Sequence, residues 1–370
     1  MRLVYLSPVP WASFAQRPHK FVEWFQAKNK SEVLWVDPYP TRLPVWADYR
    51  FSGNKQAHLK ADDIPSWLTV NRPRSLPVEP LIGVNKINLW LWGDTLSKVH
   101  QFVSAGDCCI GVGKPSRLAL CILDQHAMNM SFYDAMDDFP AFYSGISRRS
   151  MERNESEIAE KVSRLFVSSS ALAHRFERHH LKCTTVMNAC DPEKLPTLQT
   201  RSGRASKPVL GYIGTIGHWF DWALIMDLAK ANPCMVIRLI GPMHVKPDAA
   251  LPDNIEMLPA CDHVEAMQHL TRFDVGLIPF KKNDLTASVD PIKYYEYRAM
   301  GLPVISSDFG EMSLRDEQPG VFLVDEKSNL FDLVKLALAF LEDIEQIWLF
   351  QNENSWSHRF ESSKIFGDLD

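Results

Sequence analysis

The chain has 370 residues, 46% of them hydrophobic and 23% charged, and a net charge of −5. Such a length predicts two domains rather than one core. The composition is that of an ordinary soluble globular protein, and the mildly acidic balance excludes a globally basic nucleic-acid binder. The seven cysteines form no C-x-x-C pair and sum to an odd number. They read as reduced, mostly buried thiols of a cytoplasmic protein, with no disulfide frame or zinc site expected. No stretch approaches about 18 consecutive apolar residues, and the opening run is too short for a signal peptide, so a soluble, cytoplasmic chain is expected.

In chain order, Leu3 to Leu6 is an apolar strand, followed by the loop Ser-Pro-Val-Pro-Trp-Ala-Ser. A helix from His19 to Lys28 and a strand from Glu32 to Val36 complete an opening βαβ unit. Residues 38–85 are Pro-rich and irregular, with Trp46, Tyr49, Phe51 and Trp67 among them. Leu89 to Trp92 and Cys108 to Val112 read as further strands, and Asn129 to Tyr133 as a strand ending in the acidic run Tyr133-Asp134-Ala135-Met136-Asp137-Asp138-Phe139. Alternation continues to a closing strand at Thr184 to Met187, after which a polar, Pro-bearing stretch reads as a linker. A second α/β unit starts at Val209 and runs straight into Gly214-Thr215-Ile216-Gly217. Its later elements include a strand at Asp274 to Pro279, the segment SVDPIKYYEYRAMGLPVISS (288–307), and a terminal helical stretch rich in aromatics.

The segment 288–307 predicts a helix with Asp290 as N-cap, Pro291 at its first position and Gly301 as stop, then a buried strand. Lys293 and Glu296 are three apart and share a face, which suits a nucleoside diphosphate: ammonium to phosphate, carboxylate to ribose hydroxyls. The same spacing also fits a surface ion pair. The glycine loop has the spacing G-x-x-G-x-x-G, with no acidic residue placed for a dinucleotide, so it reads either as a phosphate-approaching turn or as a tight βα turn. Asp137 and Asp138 lie where ligands meet parallel sheets, as a general-base candidate pair or a solvated acidic turn. Trp11, Arg17 and His19 follow the first strand to the same edge. Nothing has metal-ligand spacing, and Asp48, Asp62, Asp63 and Asp124 lack the partners a metal would need.

With these residues in hand, the chain resembles the bacterial GT-B glycosyltransferases of the exopolysaccharide and teichuronic acid type. The marks are QRPH (16–19), YDAMDDF (133–139), VSSSAL (167–172), VMNACD (186–191), GYIGTIGHWFD (211–221), FDVGLIPF (273–280), DPIKYYEYRAMGLPVIS (290–306) and SWSHR (355–359). The resemblance implies an α/β GT-B fold: two Rossmann-like doubly wound domains facing across a cleft, with a C-terminal helix crossing back. The expected boundaries are an acceptor domain at 1–190, a linker at 191–207, a donor domain at 208–345 and the returning helix at 346–370.

By matching motif, Glu296 resembles the ribose-binding carboxylate and Lys293 the diphosphate-binding residue, with Gly214, Thr215, Ser288 and Tyr294 lining the donor. Asp137, with Asp138 and His19, is similar to the acceptor-activating group of inverting members, and Trp11 and Arg17 would face the acceptor. Many retaining relatives carry a second acid seven positions before the ribose-binding one; here that position is Val289, beside Asp290, which leaves the stereochemistry open. The implied reaction moves a sugar from a nucleoside diphosphate sugar, UDP rather than GDP, to a hydroxyl of a glycan or lipid-linked saccharide, with no metal and no resident cofactor. Peripheral contact with the inner membrane face would follow from a lipid-linked acceptor; no nucleic acid is expected. A sugar-nucleotide epimerase and a non-catalytic nucleotide-binding protein are the alternatives from other classes.

Overall fold

The structure, a computed structural model, describes residues 1–43, 64–77, 79–81, 85–198, 207–364 and 366. Trp46, Tyr49, Phe51, Asp48, Asp62 and Asp63 lie outside the described residues, as do residues 199–206 of the expected linker. Two compact units emerge: unit 1 takes Met1–Val186 with Ser363–Asp370, and unit 2 takes Met187–Ser362.

Unit 1 is a parallel sheet built from β1 (Arg2–Leu6), β2 (Val33–Val36), β3 (Leu68–Asn71), β4 (Cys108–Val112), β5 (Ser131–Ala135), β6 (Arg164–Val167) and β7 (Cys183–Thr185). They lie in the order β3-β2-β1-β4-β5-β6-β7. The inner strands are short apolar runs buried on both faces, as a sheet covered by helices on each side requires. Beyond the last helix, Phe366 stacks on Trp24 with ring planes 9° apart and meets the edges of Phe25 and Phe132.

Unit 2 repeats the design with β8 (Val209–Ile213), β9 (Val236–Ile240), β10 (Ile255–Leu258), β11 (Val275–Ile278), β12 (Val304–Ser307) and β13 (Val321–Val324). The order is β10-β9-β8-β11-β12-β13, again all parallel. Strand order reverses between β1 and β4 in unit 1 and between β8 and β11 in unit 2. Parallel sheets bind ligands at the carboxyl ends of strands beside such reversals.

Two expectations fail here. Leu89 to Trp92 is not a strand but the end of the helix Asn85–Leu91, with Trp90 80% exposed. A short apolar run carries no period that separates strand from helix. Conversely β3 came from the stretch read as irregular, because its sequence LTVN offers only two apolar residues. Among the described residues no helix is long and apolar enough to cross a membrane.

The helix Ile292–Ala299 ends as expected. Gly301 has φ +65°, its N–H reaches Arg298 O, and the Leu302 N–H reaches Tyr297 O, a Schellman closure. Tyr297 of this helix lies flat on β11, where a Cβ at Gly276 would come within 2.3 Å of its ring. We therefore expect Gly276→Ala to cost about 1–3 kcal/mol by overpacking. Urea unfolding should show a lower midpoint with an unchanged slope; an unaltered midpoint would mean that Tyr297 can move aside freely.

Candidate active site

In unit 2 the edge is built from the turn after β8 and the helix Ile292–Ala299. Gly214 adopts φ +144°, and a Cβ there would lie 2.7 Å from Lys293 Cε and Nζ. Glycine thus lets the lysine side chain lie against the turn. The height of the helix over that turn is set by Tyr297, whose hydroxyl accepts the Ile213 N–H at 3.2 Å. Lys293 Nζ sits 5.2 Å from the Tyr212 ring centre and 5.6 Å from that of Phe280. It makes no hydrogen bond or ion pair among the described residues. Burial pulls its pKa down, against the pull of Glu296, which favours the charged form. An ammonium held by aromatic faces but by no carboxylate within ion-pair distance is ready for an incoming anion.

Glu296, one turn on and half-buried, faces the same way, since its charge acts both on Lys293 and on the buried Cys190 thiol. Burial first, then Glu296, push that thiol up to about 12. Thr215 is half-buried at the turn and its carbonyl accepts the Tyr212 hydroxyl at 2.8 Å. The Gly214 N–H is already committed to Ile240 O, so of the two backbone donors expected at this turn only that of Thr215 is left for a ligand. Ser288 is buried in the loop leading into the helix.

Asp290 does not cap this helix. Pro291 holds the N-cap position without a side-chain bond. The Asp290 carboxylate points into the protein instead, where it takes the Arg315 guanidinium at 2.7 Å, the Tyr295 hydroxyl at 2.9 Å and the Asn188 N–H at 2.7 Å. Burial explains the difference: a carboxylate only 3% exposed needs a counter-charge more than it needs helix N–H groups. Tyr294 likewise faces away from Lys293. Its ring packs beneath Arg315, whose Cζ lies 4.0 Å from the ring centre, and its hydroxyl donates to Gln318. It supports the helix rather than lining the donor edge.

Unit 1 presents the loop after β5. Asp137 is half-buried, and its carboxyl group has no hydrogen-bond or ion-pair partner among the described residues. Burial chiefly raises its pKa to about 7, helped by Asp134 and Asp138 and opposed by Arg17. The expected Asp137–Asp138 carboxyl pair is thus the smallest of these causes, burial being the main one, and Asp138 is itself ion-paired to Arg175. Arg175 also reaches the buried Glu155.

Three further residues occupy other roles than expected. Arg17 is 3% exposed and grips Asp134 through Nη2 at 2.7 Å and Nε at 3.1 Å, while Nη1 donates to Val186 O. It is an interior ion pair rather than an acceptor contact. His19 has both ring nitrogens engaged: Nδ1 accepts the Gln16 N–H and Nε2 donates to Trp11 O. Burial lowers its pKa, so the ring is held neutral and has no nitrogen to spare for catalysis. Trp11 stays half-buried, its N–H on Asp37 and its ring edge-on to Trp35 and Trp67. The residues that reading the sequence missed, Arg315, Asn188, Arg175 and Glu155, are partners of the recognised acids. Asn188 lies within a quoted motif and Arg175 three residues past one, whereas Glu155 and Arg315 carried no local signal.

No protein-family model matches the chain. It is 25% identical over 342 residues to TuaH of Bacillus subtilis (strain 168), named for teichuronic acid biosynthesis as a glycosyltransferase, with 86% of this chain and 83% of that protein covered. Among solved structures it superimposes on sucrose-phosphate synthase from Thermosynechococcus elongatus with a TM-score of 0.63, at 14% identity, covering 98% of this chain and 95% of that one. Anabaena HepE, solved in complex with UDP, gives a TM-score of 0.58 at 12% identity, covering 99% and 96%. The seven- and six-stranded parallel sheets and those neighbours together give this chain the GT-B fold, and the relative it matches in sequence is named as a glycosyltransferase.

Proposed function

We propose that the protein transfers a sugar from a UDP-sugar to a hydroxyl of a glycan or lipid-linked saccharide in the assembly of a cell-surface polysaccharide. The observation that carries the donor half is Lys293: a half-buried ammonium with no counter-ion among the described residues, set against the Gly214 turn one helical turn from Glu296. UDP is favoured over other nucleotides by the UDP complex of HepE. The polysaccharide setting is supported by the name of TuaH.

In this reading Glu296 accepts hydrogen bonds from the ribose hydroxyls, and Lys293 with the Thr215 N–H meets the diphosphate. The bond between the anomeric carbon and the β-phosphate oxygen breaks, and its electron pair leaves with UDP. Charge developing on that oxygen is met by groups already in place, which is where electrostatic preorganisation contributes most. The acceptor oxygen forms the new bond to the anomeric carbon, and its proton passes to Asp137. Asp137 suits that step because a carboxyl group titrating near 7 is a base of useful strength at neutral pH. Asp290, ion-paired to Arg315, is not free to act beside Val289 as a second donor-side acid. No metal is called on in this scheme.

A thermal-shift panel of UDP, GDP, CMP and NAD tests the donor assignment, since a bound ligand raises apparent stability. UDP should stabilise most; stabilisation by NAD alone would overturn the reading. Glu296→Ala should lose about 1.5–3 kcal/mol of binding, a roughly ten- to hundredfold drop in UDP affinity by calorimetry, with the fold intact by circular dichroism. Unchanged affinity would remove Glu296 from the ribose.

The titration of Asp137 makes a separate prediction. Its folded pKa lies above the unfolded value, so the folded chain holds this proton more tightly, and the linked stability is lost as pH rises through about 7. Asp137→Asn should therefore be more stable than the native chain at pH 8 by about 1–3 kcal/mol and no different at pH 4. Denaturant unfolding at the two pH values checks this; equal stability at pH 8 would mean that Asp137 ionises normally.

A further inference from the structure

The Asp137 carboxyl group is unusual at this edge in having no partner among the described residues, yet both of its neighbours are tied. On one side, Ser168, fully buried just past β6, donates its hydroxyl to the Met136 carbonyl at 2.7 Å, and its N–H goes to Ala135 O. On the other, the Asp138 carboxylate is ion-paired to Nη1 of Arg175. The second arm of Arg175 goes to Glu155, whose other oxygen takes the Tyr133 hydroxyl at 2.8 Å. The carboxylate of Glu155 is 2% exposed, and Tyr133 lies in β5 itself.

The chain Tyr133–Glu155–Arg175–Asp138 therefore runs from the buried strand out to the loop that the strand feeds. A simple surface ion pair between Arg175 and Asp138 would need no buried carboxylate behind it. Burying Glu155 raises its pKa to about 7 despite the arginine, so the arrangement costs stability that a surface pair would not.

We propose that Arg175 and Ser168 are positioning residues for Asp137, clamping the residues on either side of it so that its carboxyl group, unpartnered among the described residues, stands toward the acceptor. This rests on the reading of Asp137 as the proton acceptor. Pinning both flanking residues leaves the Asp137 side chain only its own two torsions to search, which is how a base is kept within reach of a hydroxyl. Arg175 has an electrostatic part as well. The charged groups that act on Asp137 or on its neighbour are Arg17, Asp134, Asp138, Arg175 and Glu155, and Arg175 is the cation that offsets Asp138.

The test uses the full chain with aspartate labelled at the carboxyl carbon, and Asp137→Asn to assign the signal. Removing the cation in Arg175→Gln should move the Asp137 midpoint up by about half a pH unit or more, because Asp138 is left uncompensated. Ser168→Ala changes no charge and should leave the midpoint in place. Both variants should slow UDP release from whichever of UDP-glucose, UDP-galactose or UDP-glucuronate the native chain turns over fastest. The loss should be about tenfold for Arg175→Gln, smaller for Ser168→Ala, and in kcat with KM held within twofold.

Arg175→Lys should recover part of the rate, since one ammonium can meet one of the two carboxylates. Native midpoint and native rate in folded Arg175→Gln, or, should that variant not fold, in Ser168→Ala and Arg175→Lys together, overturn the clamp. The underlying reading fails separately. If Asp137→Asn releases UDP at the native rate, Asp137 is not the base; if it is inactive while Arg175→Gln keeps the native midpoint and rate, the clamp alone is wrong.

Discussion

The edge of unit 2 that carries Lys293 and Glu296 depends on one buried ion pair, Asp290 with Arg315. A carboxylate taken out of water needs every lone pair occupied, and this one collects a guanidinium, a tyrosine hydroxyl and a backbone N–H. Each partner comes from a different part of unit 2. Arg315 follows β12, Tyr295 belongs to the helix that starts at Ile292, and Asn188 is the second residue of the unit. The pair thus orients the helix start, holds the entering chain through a further bond from Asn188 Nδ2 to Asp290 O, and keeps Asp290 off the helix N–H groups. Lys293 and Glu296 inherit their positions from this arrangement. Tyr297 sets their height by packing into the space left by Gly276 and by bonding Ile213.

Unit 1 solves a related problem with the opposite outcome. Acids crowd the edge of its sheet, and several are neutralised locally. Asp134 has Arg17, Asp138 has Arg175, and Asp37 has the Trp11 N–H, the Trp35 indole and Arg72. Asp137 stands apart from this pattern, with burial instead of a counter-charge deciding its pKa. Among the described residues, one edge therefore presents a cation without a counter-ion, at Lys293, and the other a carboxyl group without a donor, at Asp137. Each is flanked by satisfied neighbours, and Lys293 also lies against the rings of Tyr212 and Phe280. Burying either without a partner costs stability, and such groups are retained where they act on a ligand.

Much of this was legible in the chain. The inner strands β1, β4, β8 and β11 are short apolar runs followed by loop residues, and the order of strand and helix predicted doubly wound sheets. Lys293 and Glu296 share a face because helical geometry carries over from sequence spacing. Where local signals were weak or ambiguous, reading failed: β3 has only two apolar residues in four, and the run Leu89 to Trp92 was apolar enough for a strand but lay in a helix. Asp290 and His19 were misread for one reason. Each has a good local role, as cap or as base, and each is engaged by groups that local patterns cannot show.

By itself, then, the sequence determined the alternation of elements, the turn at Gly214, the stop of the helix at 292–299, and which side chains share its face. These are consequences of propensity and period acting over a few residues. Tertiary structure alone decided which acids are free. Whether a carboxylate is a reagent or a strut depends on whether a cation reaches it, and those cations come from far along the chain. Arg17 meets Asp134 across 117 residues, and Arg175 meets Asp138 across 37. Spacing over such distances carries no geometric information until the strands are laid side by side. Within the segment 288–307, only the fold shows that its most conspicuous acid, Asp290, is an interior brace and not a helix cap.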